Sequence, residues 1–329
     1  RCTQNPTFME EWRKGWHPEI IEPKGKTSKV LVIGSGPAGL EAALACSNRG
    51  YDVTLTEATK ILGGRVAKER KLPGLSAWGR VADYREYQLS QKSNVETYLE
   101  SSLDADQVLE FGFENVCIAT GSSWRKDGVS RQHVVPIVND NSINLYTPDD
   151  IMNDNIPTGK VVIYDDDHYY MGGVIAERLI EKGCDVTLLT PCAYVSEWSI
   201  NTLEQAEIQK RLIEMGVEIE LNRGLVSISN SKLISNCTYT QNEKEIETDN
   251  LVMVASRKPQ DQLYKDLLLK KTIWNDAGIT SVKLIGDANA PGPIAWATYA
   301  GHRYARELDK NIIEDVLPFR REITNLKSS

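Results

Sequence analysis

The chain has 329 residues, enough for two packed domains at roughly 150 residues each. Hydrophobic residues make up 41% and charged residues 26%, an ordinary globular composition that excludes a disordered or collagen-like chain. A formal net charge of -8 argues against an electrostatic nucleic-acid surface, and no apolar run approaches the roughly 20 residues that cross a bilayer. Neither a nucleic acid nor a membrane is therefore an expected partner.

Residues 1–27 are polar, contain Trp12 and Trp16, and show no period; they are expected to be a connector. The first residue is Arg, and the opening Arg-Cys-Thr-Gln-Asn-Pro reads as the interior of a longer polypeptide, so a fragment is expected. Lys29–Ile33 is a short β-branched run ended by glycine, the pattern of a buried parallel strand. Pro37–Asn48 places Leu40, Ala43 and Leu44 on one helical face and stops at Gly50, and Asp52–Thr56 is the next strand. Asn115–Ala119 predicts a further strand, ending in Thr120-Gly121. Near residue 150 the layout restarts: strand Lys160–Tyr164, helix Gly172–Lys182, strand Asp185–Leu189. Short strands and turns fill 216–250, Leu251–Ala255 is a buried strand, Val282–Ile285 leads into Gly286-Asp287, and Ile294–Leu308 is a helix. The expected fold is α/β, with two Rossmann-like domains of the FAD/NAD(P)-binding type, the second inserted in the first. Residues 28–150 and 275–329 would form the first, and 151–274 the second.

Gly34-Ser35-Gly36-Pro37-Ala38-Gly39 is G-x-G-x-x-G, set between a strand and a helix. Its first glycine permits the tight turn, the second admits a pyrophosphate against the backbone, and the third brings helix and strand together. The phosphate then meets the free N–H groups of the helix N-terminus. Glu57 closes the second strand 18 residues after Gly39, where a carboxylate accepts hydrogen bonds from ribose hydroxyls and repels a 2′-phosphate. Ala58, Gly64 and Arg65 in the segment Gly63-Gly64-Arg65, Thr120 and Gly121, and Asp287 complete the expected nucleotide site. This ordered set resembles the two-dinucleotide-domain flavoproteins, in which the late aspartate commonly binds the flavin ribityl chain. ADP or FAD is the expected ligand.

The second domain lacks such a loop. Asp165-Asp166-Asp167-His168-Tyr169-Tyr170-Met171-Gly172-Gly173 puts three carboxylates where a pyrophosphate needs N–H groups, and like charges there cost energy. Tyr170 falls at the expected close-packing position. Little or no NAD(P)H binding is expected, with a retained structural domain as the plain reading and a surface for another ligand or protein as the other. His168 is read as a lone histidine beside acids, with a metal site as the lesser alternative, and His302 is expected to be a cap or surface residue. The six cysteines form no C-x-x-C pair, which fits a reducing compartment and a cytoplasmic location.

Taken together, these residues resemble the iron–sulfur flavoprotein amine dehydrogenases, the group of trimethylamine, dimethylamine and histamine dehydrogenases within the old yellow enzyme and dienoyl-CoA reductase superfamily. The resemblance covers essentially the whole chain. Its most specific stretches are Cys2–Pro6, Gly15-Trp16-His17-Pro18-Glu19, Leu72–Leu75, Asp83–Glu86, Asp165–Gly173 and Ile285–Ala288. It implies a barrel upstream carrying FMN and the site for a small amine, followed by a [4Fe–4S] cluster held by four cysteines, of which Cys2 matches the last. The other three would lie upstream. It further implies ADP in the first Rossmann site, an empty second domain, electron delivery to an electron-transferring flavoprotein, and a homo-oligomeric parent. No catalytic residue is expected within this chain. Two alternatives stand beside this reading: an NAD(P)H-dependent flavin oxidoreductase of the dienoyl-CoA reductase type, and a non-catalytic docking module stabilised by ADP.

Overall fold

The computed structural model describes residues 2–10, 16 and 21–310. Trp12, Gly15, His17, Pro18 and Glu19 of the expected connector, and 311–329 of the expected first domain, lie outside the described residues. The described residues within 1–64, 80–121 and 260–329 form one compact unit, and those within 65–79 and 122–259 form a second.

In the first unit β1 (Lys29–Ile33), α1 (Pro37–Asn48) and β2 (Asp52–Thr56) take the bounds expected of them. Five parallel strands stand in the order Ser281–Leu284, Asn115–Ile118, β1, β2, Val95–Tyr98. In chain order that is the Rossmann sequence 3-2-1-4-5, so the chain reverses its direction of winding beside β1, where such sheets bind ligands. Both faces of β1 are covered. Val30 and Val32 pack towards α1 and the helix Ile294–Glu307, while Leu31 and Ile33 pack with Val108 and Leu109 of the helix Ala105–Phe111 and with Leu267. Burying each of these side chains contributes roughly 1.5–3 kcal/mol, an upper figure because the unfolded chain already hides some of that surface. The helix Ile294–Glu307 crosses α1 closely at Gly301, where an added Cβ would lie 2.2 Å from the Ala38 carbonyl oxygen.

The second unit holds five parallel strands in the order Glu218–Glu220, Asp185–Leu189, Lys160–Asp165, Asn250–Val254, Asn144–Tyr146. Alternate side chains face opposite ways, as a pleated strand requires. Val161, Ile163, Val252 and Val254 meet Met171, Ile175 and Leu179 of the helix Tyr170–Glu181. Val162, Tyr164, Leu251 and Met253 instead meet Leu225, Ile228 and Leu233. These last come from a second, four-stranded sheet in the order Glu243–Glu247, Lys232–Cys237, Arg223–Ser229, Val138–Asn139.

The chain passes between units at 121/122 and 259/260 rather than at the expected 150/151 and 274/275. The reason is strand pairing. Ser122–Trp124 pairs with Arg257–Pro259, and Asn144–Tyr146 extends the second parallel sheet. Residues 65–79 also pack with the second unit, through Leu72 and Leu75.

Candidate nucleotide-binding site

Four turns meet at the carboxyl edge of the first sheet. Gly34 (φ +100°) leaves β1 with its N–H donating to the Thr56 carbonyl at 2.8 Å, and an added Cβ would lie 2.5 Å from the Ala119 oxygen. Gly39, third in α1, would put a Cβ 1.9 Å from the Gly34 oxygen. Both glycines are therefore required by protein contacts alone. Gly36 differs: its backbone is extended (φ -65°, ψ 177°), and a Cβ there would meet nothing within 4 Å. That open space is what a pyrophosphate needs to reach the backbone. It adjoins the start of α1, where Pro37 opens the helix and no side chain caps it, leaving the terminus to attract an anion.

Glu57 is 7% exposed and bound on both oxygens. Oε2 accepts from the Ser35 N–H at 3.0 Å and its hydroxyl at 2.6 Å; Oε1 accepts from the Thr59 N–H at 2.9 Å and its hydroxyl at 2.8 Å. Burial alone would raise its pKa, but these four hydrogen bonds outweigh burial and hold it below the ordinary value. The carboxylate is thus ionised and aimed, and a ribose hydroxyl would take the place of the Ser35 or Thr59 hydroxyl. Thr59 was not among the expected site residues. Its signal was a threonine two places after the acid, the spacing at which a hydroxyl and an N–H close a local turn. Ala58 is exposed beside Glu57.

The remaining pieces close on the same loop. The Gly63 N–H donates to the Ser35 oxygen at 3.0 Å, and a Cβ on Gly64 would lie 3.0 Å from the Gly36 Cα. The Thr120 hydroxyl donates to the Gln260 carbonyl at 2.5 Å, and Gly121 (φ +79°) turns the chain after it. Gly286 (φ +58°) would put a Cβ 2.6 Å from the Ala38 Cβ, so the turn carrying Asp287 sits on the first turn of α1. Asp287 Oδ1 accepts the Gly292 N–H at 3.0 Å. Arg65 belongs to the second unit, where its guanidinium donates to Asp149 at 2.6 Å and to the Ser122 carbonyl at 2.5 Å.

The second unit answers the same loop with a plug. Asp165 ends its strand fully buried, and Oδ1 accepts the N–H groups of Asp167 and His168, each at 3.1 Å. Its Oδ2 has no hydrogen-bond partner, and burial pushes the carboxyl up to about 7. A Cβ on Gly172, the third residue of its helix, would lie 2.3 Å from that Oδ2. Gly172 therefore takes the close-packing role expected at the Tyr170 position, because the loop runs on through His168 (φ +67°) before the helix starts. His168 stands beside an acid, as expected, with Nε2 3.1 Å from Asp166 Oδ1, and its Nδ1 lies 3.3 Å from Cys192 Sγ. Among the described residues no group of three His, Cys, Asp or Glu side chains is placed to hold a metal.

Cys2 is half-buried, and its Sγ accepts the Gln4 N–H at 3.4 Å. The N–H groups of Asn5 and Gln4 hold its thiol below the ordinary value, a setting that favours thiolate and suits a metal ligand. His302, expected as a cap or surface residue, instead donates from Nδ1 to Glu41 at 2.8 Å while Nε2 accepts from Arg306 at 3.1 Å. All six cysteines are free thiols. Among the described residues no helix is long and apolar enough to cross a membrane.

A family model described as pyridine nucleotide-disulphide oxidoreductase matches residues 28–291. Dimethylamine dehydrogenase from Hyphomicrobium sp. (strain x) is 36% identical over 98% of this chain and 47% of its own length. The solved histamine dehydrogenase from Rhizobium sp. 4-9 superposes with a TM-score of 0.95 at 62% identity, covering 100% of this chain and 51% of that one. The solved 6-hydroxypseudooxynicotine amine oxidase from Pseudomonas geniculata N1 gives a TM-score of 0.89 at 42% identity, over 94% and 46%. The chain spans about half the length of these relatives.

Proposed function

This chain belongs to the pyridine nucleotide-disulphide oxidoreductase family, and from that premise we propose that it is the nucleotide-binding part of a flavin- and iron–sulfur-dependent amine dehydrogenase. The observation that carries the reading is the contrast between its two loops. One is open at Gly36 and armed with an ionised Glu57; the other is filled by Asp165. A reductase fed by NAD(P)H needs the second loop open. An amine dehydrogenase does not, because its electrons come from the amine.

In the intact parent FMN supplies hydride acceptance from a small amine, and a [4Fe–4S] cluster supplies one-electron transfer to an electron-transferring flavoprotein. The residues of this chain bind and position. Gly34, Ser35, Gly36, Pro37, Ala38 and Gly39 hold the pyrophosphate of ADP; Glu57 and Ala58 border its ribose; Gly64, Thr120 and Gly121 wall the site. Arg65 is engaged within the second unit, by its bonds to Asp149 and Ser122. Cys2 supplies one thiolate to the cluster, and the other ligands come from outside this chain. The free thiols suit a reducing cytoplasm.

FAD in place of ADP is the second reading, supported by the turn that seats Asp287 against the start of α1. The deciding experiment uses the full-length protein. Anaerobic mixing with a panel of small amines that includes dimethylamine and histamine should bleach the bound flavin, while NADPH should not. Rapid bleaching by NADPH, with no response to any amine, would overturn the proposal.

A further inference from the structure

The helix Arg80–Ser90 buries an arginine. Arg85 is 0% exposed, and its Nε donates to Glu41 Oε2 at 2.6 Å on α1. Taking this pair out of water costs several kcal/mol per ion, which the attraction between them rarely more than offsets, so stability alone does not explain the guanidinium. Its two remaining nitrogens point elsewhere. Nη1 donates to the Val81 carbonyl at 2.9 Å, and Nη2 donates to the Gln4 carbonyl at 3.2 Å.

Gln4 is held by Arg85 at two points, its carbonyl and, from Nη1 at 3.5 Å, its side-chain oxygen. The N–H of the same residue donates to the sulfur of Cys2 at 3.4 Å. The segment beyond is tied by the Asn5 side chain, whose oxygen accepts the Thr7 N–H at 3.0 Å and hydroxyl at 2.8 Å. Behind Arg85, Glu41 is held in turn by His302 at 2.8 Å. The cation is thus fixed from α1 and from the helix Ile294–Glu307, and it fixes the loop that carries the thiol.

We infer that Arg85 is a positioning residue for the metal ligand Cys2, holding Gln4 so that its N–H stays on the sulfur. This rests on the reading of Cys2 as a cluster ligand. Hydrogen bonds to the sulfurs of an iron–sulfur centre stabilise its more negative, reduced state and raise its reduction potential. With Arg85 removed Gln4 is released, its N–H leaves the sulfur, and the centre becomes harder to reduce.

The test is redox titration of the full-length protein, followed by the electron paramagnetic resonance of the reduced cluster. Arg85→Met is the direct variant. Glu41→Gln/Arg85→Met removes the buried carboxylate as well, and keeps the test open if the single variant fails to fold. At the wild-type midpoint the reduced-to-oxidised ratio should fall about tenfold, which is about 59 mV for one electron. Loss of iron from a folded variant that retains its nucleotide would also support the inference, since it shows the ligand loop released. An unchanged midpoint with the cluster intact would overturn it. A wild-type protein without iron would instead contradict the reading of Cys2, leaving a distinguishable failure.

Discussion

The loops that follow β1 and the strand Lys160–Asp165 solve the same steric problem in opposite ways. In each, the third residue of the helix is a glycine pressed against whatever ends the preceding strand. At Gly39 the neighbour is a backbone oxygen, that of Gly34, so the loop carries no side chain into its own cradle. At Gly172 the neighbour is the carboxylate of Asp165, which accepts the N–H groups of Asp167 and His168 itself. One loop leaves the N–H groups at its helix start without a side-chain cap. The other spends its loop N–H groups on an internal acid. The close helix–strand packing at such a glycine can therefore persist beside a loop filled by its own side chain, provided that side chain supplies an acceptor for the backbone N–H groups.

The sharpest way to break this comparison is at the close-packing glycine of the open loop. Gly39→Ala brings a Cβ against an immovable backbone oxygen and should cost the first unit about 3 kcal/mol or more, seen as a large fall in urea midpoint. Gly36→Ala should do the reverse. Its site is empty and its backbone suits any residue, so the midpoint stays put while ADP affinity, measured by calorimetry, falls about 100-fold. Parallel losses of stability in both variants would contradict the assignment of the open space to a ligand.

Glu57→Gln removes the charged acceptor while keeping its shape. A hydrogen bond to a charged group contributes roughly 1.5–3 kcal/mol, so ADP should bind about 10- to 100-fold more weakly. The smallest effect concerns the plug. Asp165 has an ordinary carboxyl value of 3.8, raised to about 7 in the folded chain by burial and by the neighbouring Asp167. The folded state thus holds the proton more tightly than the unfolded one. Its stabilising contribution is complete below about pH 4 and is lost as pH rises through about 7. Asp165→Asn should flatten that loss, by on the order of 2 kcal/mol between pH 5 and pH 8 in chemical denaturation. Curves that stay parallel at both pH values would show that the carboxyl is ionised in the fold.

Much of the first site is legible in the sequence because its parts are local. Lys29–Ile33, Pro37–Asn48 and Asp52–Thr56 declare themselves by β-branched runs, a helical face and glycine stops, and the structure keeps those bounds. The helix Arg80–Ser90 escaped notice because what it buries includes Arg85, a charge that blurs any apolar stripe. The strand Val95–Tyr98 escaped because it lies at the sheet edge with most of its residues exposed. The passage between units was placed too late on both sides because Ser122–Trp124 and Asn144–Tyr146 are three-residue strands, whose membership is decided by distant partners. The triple aspartate was readable as a hindrance. That Asp165 turns inward to sit on Gly172 depends on loop length, which no single residue announces.

One loop is open at Gly36 and the other is filled by Asp165, and the most direct measurement is to identify what the protein carries. The purified protein would be heat-denatured and clarified, and the released nucleotide identified and counted by chromatography and mass. The account predicts one adenine nucleotide per chain, ADP, and no pyridine nucleotide. Two nucleotides per chain, or stoichiometric NAD(P), would mean that the second loop opens, and would contradict it.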